Sequence, residues 1–481
     1  MEVSNNSVKR KKFEFPHAFA LMIMIVLVLS LLSYVIPSST YTMMEVEYTL
    51  DDGTVSTRSV VDPDGWSLSE EDKSISFMQF ITSFYRGMLE VPDIIFFIFL
   101  VVGAFYIVGE TGAITSGVGR LILKLGNKKI ALIPVLVFIF AFLGSTAGIY
   151  EEMLAFIPIL APLLIAAGYD SLLTIGIVMG GGAAGFAGAT TNGFTLAVAQ
   201  GIAGLPIYSG LWYHVIVFVC FVVLLSIMLM VYAKKLEKDQ SKSIMYEGDK
   251  VYLQNNHVDF ASLPEFNTTR KIILVEVLAT IGIMVFGIMK YGWYFQEISG
   301  IFLVMGVVVT FTYGKGINWF CNNLVAGMKT IVTGAMIVGF ARAILVILND
   351  SEMIHTILHS ASGFITSLPA YMAVVGQYIF QCLMNYIIPS GSGQASATMP
   401  IMAPLADLTG INRQVAVQCE VIGDALSNPF TPTSGNIHAG LAMAGIPWAT
   451  WAKFWWKFLA IEYLLGLVLV IIADMIELGP F

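Results

Sequence analysis

Long apolar runs alternate with short polar segments along most of the chain, and their lengths limit what the chain can form. The first run extends from about Phe19 to Ile36. Others lie near Ile94–Val108, Ile272–Met289, Ile301–Tyr313, Ile331–Leu348 and Phe458–Ile472, and one more ends at Tyr232. Runs of roughly 18 apolar residues match a helix that crosses a bilayer, so the pattern predicts an all-α polytopic membrane protein. Met1–Lys12 ends in Lys9-Arg10-Lys11-Lys12, as a signal peptide would begin. The run after it is long, and Tyr34-Val35-Ile36-Pro37 is a poor small-residue cleavage site, so it reads as a retained first span.

The polar segments orient the spans. Ser38–Ser76 carries nine acidic residues against Arg58 and Lys73, and Asp52-Gly53 sits between two β-prone stretches, which predicts a small external hairpin. Ile114–Lys129 carries Arg120, Lys124, Lys128 and Lys129 and no acid, and Tyr232 is followed by Lys234, Lys235 and Lys238. Positive loops stay on the cytoplasmic side, so both segments and the amino terminus are expected inside a bacterial-type cytoplasmic (inner) membrane. Trp448, Trp451, Trp455 and Trp456, just before the last run, read as an interfacial aromatic belt.

Composition agrees with a lipid environment: 57% of residues are hydrophobic and only 12% charged, about half the usual charged fraction. A net charge of −8 and the lack of a basic patch argue against a nucleic-acid partner. Cys220, Cys321, Cys382 and Cys419 are scattered without metal-ligand spacing, so neither structural zinc nor redox chemistry is expected.

An internal repeat carries the most information. Pro158-Ile-Leu-Ala-Pro-Leu-Leu-Ile-Ala-Ala-Gly168 matches Pro400-Ile-Met-Ala-Pro-Leu-Ala-Asp-Leu-Thr-Gly410 at six of eleven positions, with an offset of 400 − 158 = 242. The same offset brings Thr191-Asn192-Gly193 onto Thr433-Ser434-Gly435, and after one gap Ala203–Pro206 falls on Ala444–Pro447. Each proline motif follows a tip rich in small and hydroxyl residues: Gly144–Glu152 in the first repeat and Pro389–Gln394 in the second. Their flanking arms suit re-entrant hairpins. Each repeat then has an apolar segment broken in the middle, at Gly188–Gly193 and at Asn428–Gly435. Non-helical backbone at membrane depth is tolerated where it is buried or lines a cavity, and paired breaks in two halves point to a carrier's binding site.

The division expected is therefore a first half over 1–233, a cytoplasmic linker over 234–271 and a second half over 272–481. The first half would hold a hairpin at about 130–168, entering from inside, and a broken helix at about 171–206. The second would hold a linking span, a hairpin at about 370–410 entering from outside, and a broken helix at about 412–446. An odd number of crossings separates the repeats, which makes them inverted.

The chain resembles the C4-dicarboxylate anaerobic carrier-like family, in particular its branch of basic amino acid carriers that includes arginine/ornithine exchangers. The residues responsible are Gly148–Phe156, Ile388–Gln394 with Met399–Asp407, and Gly423-Asp424 through Gly435. The resemblance covers nearly the whole chain. It implies the ion-transporter-superfamily fold, a dimer-forming scaffold with a transport domain of two hairpins and two broken helices, and elevator-type movement. The family often has a proline after the asparagine of the first break, where this chain has Gly193.

Tips and breaks expose backbone groups that can hold a ligand, at Gly148, Gly391 and Gly393 among others. Ser145, Thr146, Thr191, Ser390, Ser392, Ser427, Thr433 and Ser434 add hydroxyls, and Asn192, Gln394 and Asn428 add amides. Capping of a half-helix is the plain alternative role for each. Glu151 and Glu152 stand at the first tip, and Glu420 and Asp424 lie four apart on one helical face. Carboxylates at bilayer depth usually mark pathways or relays. Arg342, deep in a span, is expected to offset one acid, which leaves the site net negative and suited to a cation. His438 reads as a packing histidine, and Asp407 as a cap or a scaffold-facing residue.

The expected activity is secondary transport of a small charged metabolite. A basic or zwitterionic amino acid, with arginine/ornithine-type exchange, comes first; a C4-dicarboxylate carrier coupled to Na+ or H+ is the alternative, and an ion channel the alternative of another class. The expected partners are the substrate, membrane lipid and a second copy of the chain in a homodimer. No cofactor is expected beyond Na+ or H+ as coupling ion, with Na+ at the hairpin tips. An enzyme would need a nucleophile–base pair or a metal motif, and the sequence has neither.

Overall fold

The computed structural model describes residues 18–49, 55–114, 116, 117, 120, 126–255, 265–291 and 293–479. Among them, eight helices are long and apolar enough to cross a membrane: Pro92–Glu110, Lys129–Ala147, Ser171–Gly188, Leu211–Lys238, Thr268–Ile288, Phe295–Thr312, Val332–Asp350 and Trp448–Met475. Their outer faces carry large apolar side chains open to the surroundings, such as Leu278, Val231 and Val304, each more than 60% exposed. Water would penalise such a surface and lipid does not, so the chain is a multi-pass membrane protein.

Before the first of these spans, Ala18–Leu32 leads into an antiparallel ribbon of Ser39–Thr49 and Val55–Leu68, with a bulge between Tyr41 and Met43. The expected turn at Asp52-Gly53 lies outside the described residues, as do Lys9–Lys12 and Lys124. The ribbon's base is fixed by Trp66, which stacks on His359 at 4.0 Å, and by Ser39 Oγ, 2.7 Å from Thr356 Oγ1.

The scaffold contains two long helices, each broken once. Phe77–Glu90 and Pro92–Glu110 meet at Val91; Ile317–Thr330 and Val332–Asp350 meet at Ile331, so the breaks are 331 − 91 = 240 residues apart. They also pack reciprocally. A Cβ on Gly87 would stand 3.1 Å from Ala343 Cα, and one on Gly327 would stand 2.8 Å from Gly103 Cα, with 327 − 87 and 343 − 103 both equal to 240. The amphipathic half Phe77–Glu90 is absent from the expected spans because Gln79, Ser83, Arg86 and Glu90, which share one face of the helix, break up its apolar run. A capping box between Ser76 and Gln79 starts it.

The remaining elements form two hairpins and two broken helices. The first hairpin pairs Leu132–Ala147 with Ile157–Ala166 through a tight Glu151–Phe156 turn; the second pairs Ala370–Met384 with Gly391–Thr409. The first broken helix is Ser171–Gly188 followed by Leu196–Ala203, and the second is Arg413–Ser427 followed by Gly435–Met443. The hairpins start at opposite ends of the span Leu211–Lys238: Tyr169, just after the first, donates to Glu237 at 2.8 Å, and Gln414, just after the second, lies 3.5 Å from His214. Ala161 and Ile165 of the first hairpin pack on Tyr252 of the linker helix Tyr246–Asn255, and the ribbon packs against Gly391–Thr409 of the second. Small residues let these elements approach closely: a Cβ on Gly185 would fall 2.1 Å from Ala141 O.

The tryptophan belt is a correction. The last helix begins at Trp448, ten residues earlier than its apolar run suggested, and turns Trp451 and Trp455 inward, where both are fully buried. Their rings stack at 4.8 Å, and Trp451 Nε1 donates to Pro429 O at 2.6 Å. A five-residue wide turn, Gly176–Gly180, has no side chains where Trp455 lies against it. Trp456, on the opposite face, is exposed.

Candidate functional site

Both tips and both breaks converge. At the first tip, Gly148 turns the chain with φ +66°, a conformation that favours glycine, and Asn192 Oδ1 lies 2.9 Å from where its Cβ would stand. The break is pinned to this tip by a set of polar contacts. Thr190 N donates to Ser145 Oγ (3.0 Å), Thr191 Oγ1 to Thr146 O (3.2 Å), and Asn192 Nδ2 to Gly144 O (3.0 Å). Asn192 Oδ1 then accepts from Phe194 N at 2.8 Å. Ser145, Thr146, Thr191 and Asn192 thus hold the backbone in shape, off the walls of the central cavity.

The second half uses different chemistry for the same task. Asn385 Nδ2 donates to Asp424 Oδ1 at 2.8 Å, Asn385 Oδ1 accepts from Ser427 Oγ, and Thr433 Oγ1 donates to Tyr386 O at 2.8 Å. Gln394 is buried inside the hairpin, its Nε2 donating to Gln381 O and Oε1 at 2.9 Å. Gly393 closes the first helical turn against Ser390, and Ser434 is buried.

Between the tips lies a cavity of about 160 Å³, below the ~300 Å³ typical of drug-sized ligand sites and suited to a small metabolite. Of the expected residues, Gly148, Glu151, Glu152, Ser390, Gly391, Ser392 and Asn428 line it. Asp424 sits immediately behind: its Oδ2 is 3.1 Å from where a Gly391 Cβ would be. The cavity continues into a cleft of about 260 Å³ that reaches the scaffold, lined by Glu90, Asp93, Glu151, Tyr294, Arg342 and Thr433 among others.

Glu151 bridges the two spaces. Its Oε2 accepts from the Tyr294 hydroxyl, on the scaffold, and its Oε1 from Asn436 Nδ2 at 3.0 Å, on the second broken helix. Arg342 does not offset the central acids. Its Nε holds Glu90 at 2.7 Å, because the scaffold helices carrying the two residues pack side by side. Glu420 is fully buried, and among the described residues it has no salt bridge and neither carboxyl oxygen has a hydrogen-bond partner. His438 Nε2 lies 2.9 Å from Pro432 O in a packed setting, and Asp407 pairs with Arg413 at 2.6 Å.

The sequence reading missed Tyr150 and Thr195. Both line the cavity and are more than 90% buried, and neither Tyr150 Oη nor Thr195 Oγ1 has a partner among the described residues. Buried hydroxyls without partners are costly unless a ligand or water completes them. A signal was available, since Tyr150 precedes Glu151 and Thr195 closes the first break. Among the described residues no group of His, Cys, Asp and Glu has the arrangement of a metal site.

The sequence profile of the C4-dicarboxylate anaerobic carrier family (DcuC) matches residues 15–475. YfcC of Escherichia coli K12, provisionally named a basic amino acid antiporter, is 30% identical over 505 aligned residues, with 99% of each chain covered. An uncharacterised protein of Haemophilus influenzae is 27% identical, with 97% of this chain and 98% of the other covered. Among solved structures, the YdaH transporter of Alcanivorax borkumensis is similar at a TM-score of 0.41 and 14% identity, covering 97% and 99% of the two chains.

Proposed function

Because the chain belongs to the C4-dicarboxylate anaerobic carrier family, we propose that it is a secondary transporter whose substrate is a cationic or zwitterionic amino acid bound between the hairpin tips. One observation carries this reading. The cavity has a negative wall, Glu151 and Glu152, and among the described residues no lysine, arginine or histidine lines it. Facing that wall is Ser390-Gly391-Ser392, the start of the helix Gly391–Thr409, whose first-turn amides have no acceptor within the helix and attract a carboxylate. An α-carboxylate on the helix end and an ammonium or guanidinium near Glu151 would satisfy both walls at once. The name carried by the E. coli relative agrees.

The movement fits the same frame. The hairpins start on opposite sides, and the scaffold breaks recur 240 residues apart, which supports an inverted repeat and alternating access by an elevator-type slide of the hairpins and broken helices. In this reading the scaffold forms the homodimer in a bacterial cytoplasmic membrane.

Uptake of labelled arginine into proteoliposomes tests the substrate class. Unlabelled arginine, ornithine and lysine should compete, and fumarate and succinate should not. Competition by the dicarboxylates alone would reverse the assignment in favour of a dicarboxylate carrier.

A further inference from the structure

Behind the second hairpin lies a buried polar file that substrate binding leaves unexplained. Gln377, Gln381 and Asn385 recur every four residues on the leading arm, so they share one helical face, and each is at most 1% exposed. Opposite them, Glu420, Asp424 and Ser427 recur on the broken helix, all fully buried. Three contacts fix the register of the two helices: Cys419 Sγ meets Val374 O at 3.8 Å, a Cβ on Gly423 would lie 2.7 Å from Gln381 Cβ, and Asn385 binds Asp424. Gln377 therefore stands level with Glu420.

Several polar atoms in this file have no partner among the described residues: both side-chain atoms of Gln377, both carboxyl oxygens of Glu420, and Gln394 Oε1. Native interiors leave few such groups, and a run of them marks a path for water or a small ion. A carboxylate so placed is stable only when neutral or when neutralised. Among the described residues nothing basic faces Glu420. Its own helix contributes Asp424 and, at its start, Arg413, which Asp407 already holds. The leading arm contributes Tyr378 and Cys382, and the last helix contributes Glu462 and Tyr463, its Lys453 and Lys457 being exposed. His214, on the adjoining span, meets Gln414, more than a turn away.

We propose that Glu420 carries a proton through the transport cycle, so that H+ is the coupling ion. This inference rests on the carrier reading above. With both carboxyls protonated, Asp424 first releases its proton to water in the cavity beside Gly391. The protonated carboxyl of Glu420 then gives its proton to the Asp424 carboxylate one helical turn on, and Glu420 takes up a new proton from water along the polar file. The pair therefore carries one negative charge or none at every step, because two adjacent carboxylates without a base do not both ionise.

Purified full-length protein in proteoliposomes containing a pH-sensitive dye tests this, with labelled arginine as the probe. In the wild type, arginine flux should change the lumenal pH, and an imposed pH gradient should drive net flux without Na+. Glu420→Gln should lose the dye response and the gradient-driven flux, and its residual arginine exchange should no longer vary with pH. Wild-type flux with no lumenal pH change, flux driven by Na+ alone, or full proton movement in Glu420→Gln would each overturn the proposal. If Glu420→Gln does not fold, Glu420→Asp decides: it should retain proton movement with a displaced pH profile, and an unchanged profile would count against Glu420. Absence of amino acid exchange in the wild type would instead refute the carrier reading.

Discussion

Glu151 receives hydrogen bonds from residues 143 and 285 positions away, Tyr294 and Asn436. It is therefore already occupied by neutral donors, and a cationic substrate must compete with the Tyr294 hydroxyl for Oε2. Tyr294→Phe removes that competitor. A neutral-to-charged hydrogen bond of this kind is worth about 1.5 kcal/mol or more, so the variant should bind arginine at least about tenfold more tightly in a counterflow titration. Weaker binding would mean that Tyr294 contacts the substrate itself. The acids at the first tip were legible in the sequence because carboxylates are rare among small and apolar residues. Their partners were not: Tyr294, Asn436 and Asn385 are ordinary polar residues until the fold brings them to Glu151 and Asp424. Arg342 shows the same limit, since its depth in a span was visible but its pairing with Glu90 depends on how two scaffold helices pack.

At the scale of elements, the hairpins and breaks were legible from glycine, proline and hydroxyl clusters, whereas the linker helix Tyr246–Asn255 was hidden in a polar stretch. It docks on the hairpin side of the molecule through Tyr252 and through Asp249, whose Oδ2 accepts from Ser171 N at 3.2 Å. Burial, with Asp170 beside it as a lesser cause, pushes the Asp249 carboxyl up to about 7 from an ordinary 3.8. The docked state thus holds a proton that the undocked state releases. Docking should be tightest in acid, weaken as pH rises from about 4 to about 7, and stay constant above that. Hydrogen exchange of 246–255 should follow this course, and Asp249→Asn should lose most of the slope. Protection that increases with pH would show that Asp249 is charged when docked.

For the whole molecule, the proline motifs disclosed a repeat in the hairpins and broken helices, but the scaffold repeat passed unseen. Gly87-Met88 and Gly327-Met328 recur there at the same 240-residue spacing, yet apolar residues substitute so freely in lipid-facing helices that little else survives. The inverted arrangement proposed above makes a topological prediction. Cysteines at Thr54 and Ser241 should label oppositely with an impermeant maleimide on intact cells, the first from outside and the second only after permeabilisation. Equal labelling from outside would contradict it.

The central claim is that Glu151, on the cavity wall at the junction of the two halves, receives a cationic group of the substrate. Arginine affinity by counterflow in Glu151→Gln tests this most directly, because an amide keeps the shape and removes the charge. Losing one partner of a buried charge pair costs about 2–5 kcal/mol, so the variant should bind arginine at least ~30-fold more weakly while remaining folded. Wild-type affinity in Glu151→Gln would remove this carboxylate from the site and contradict the account.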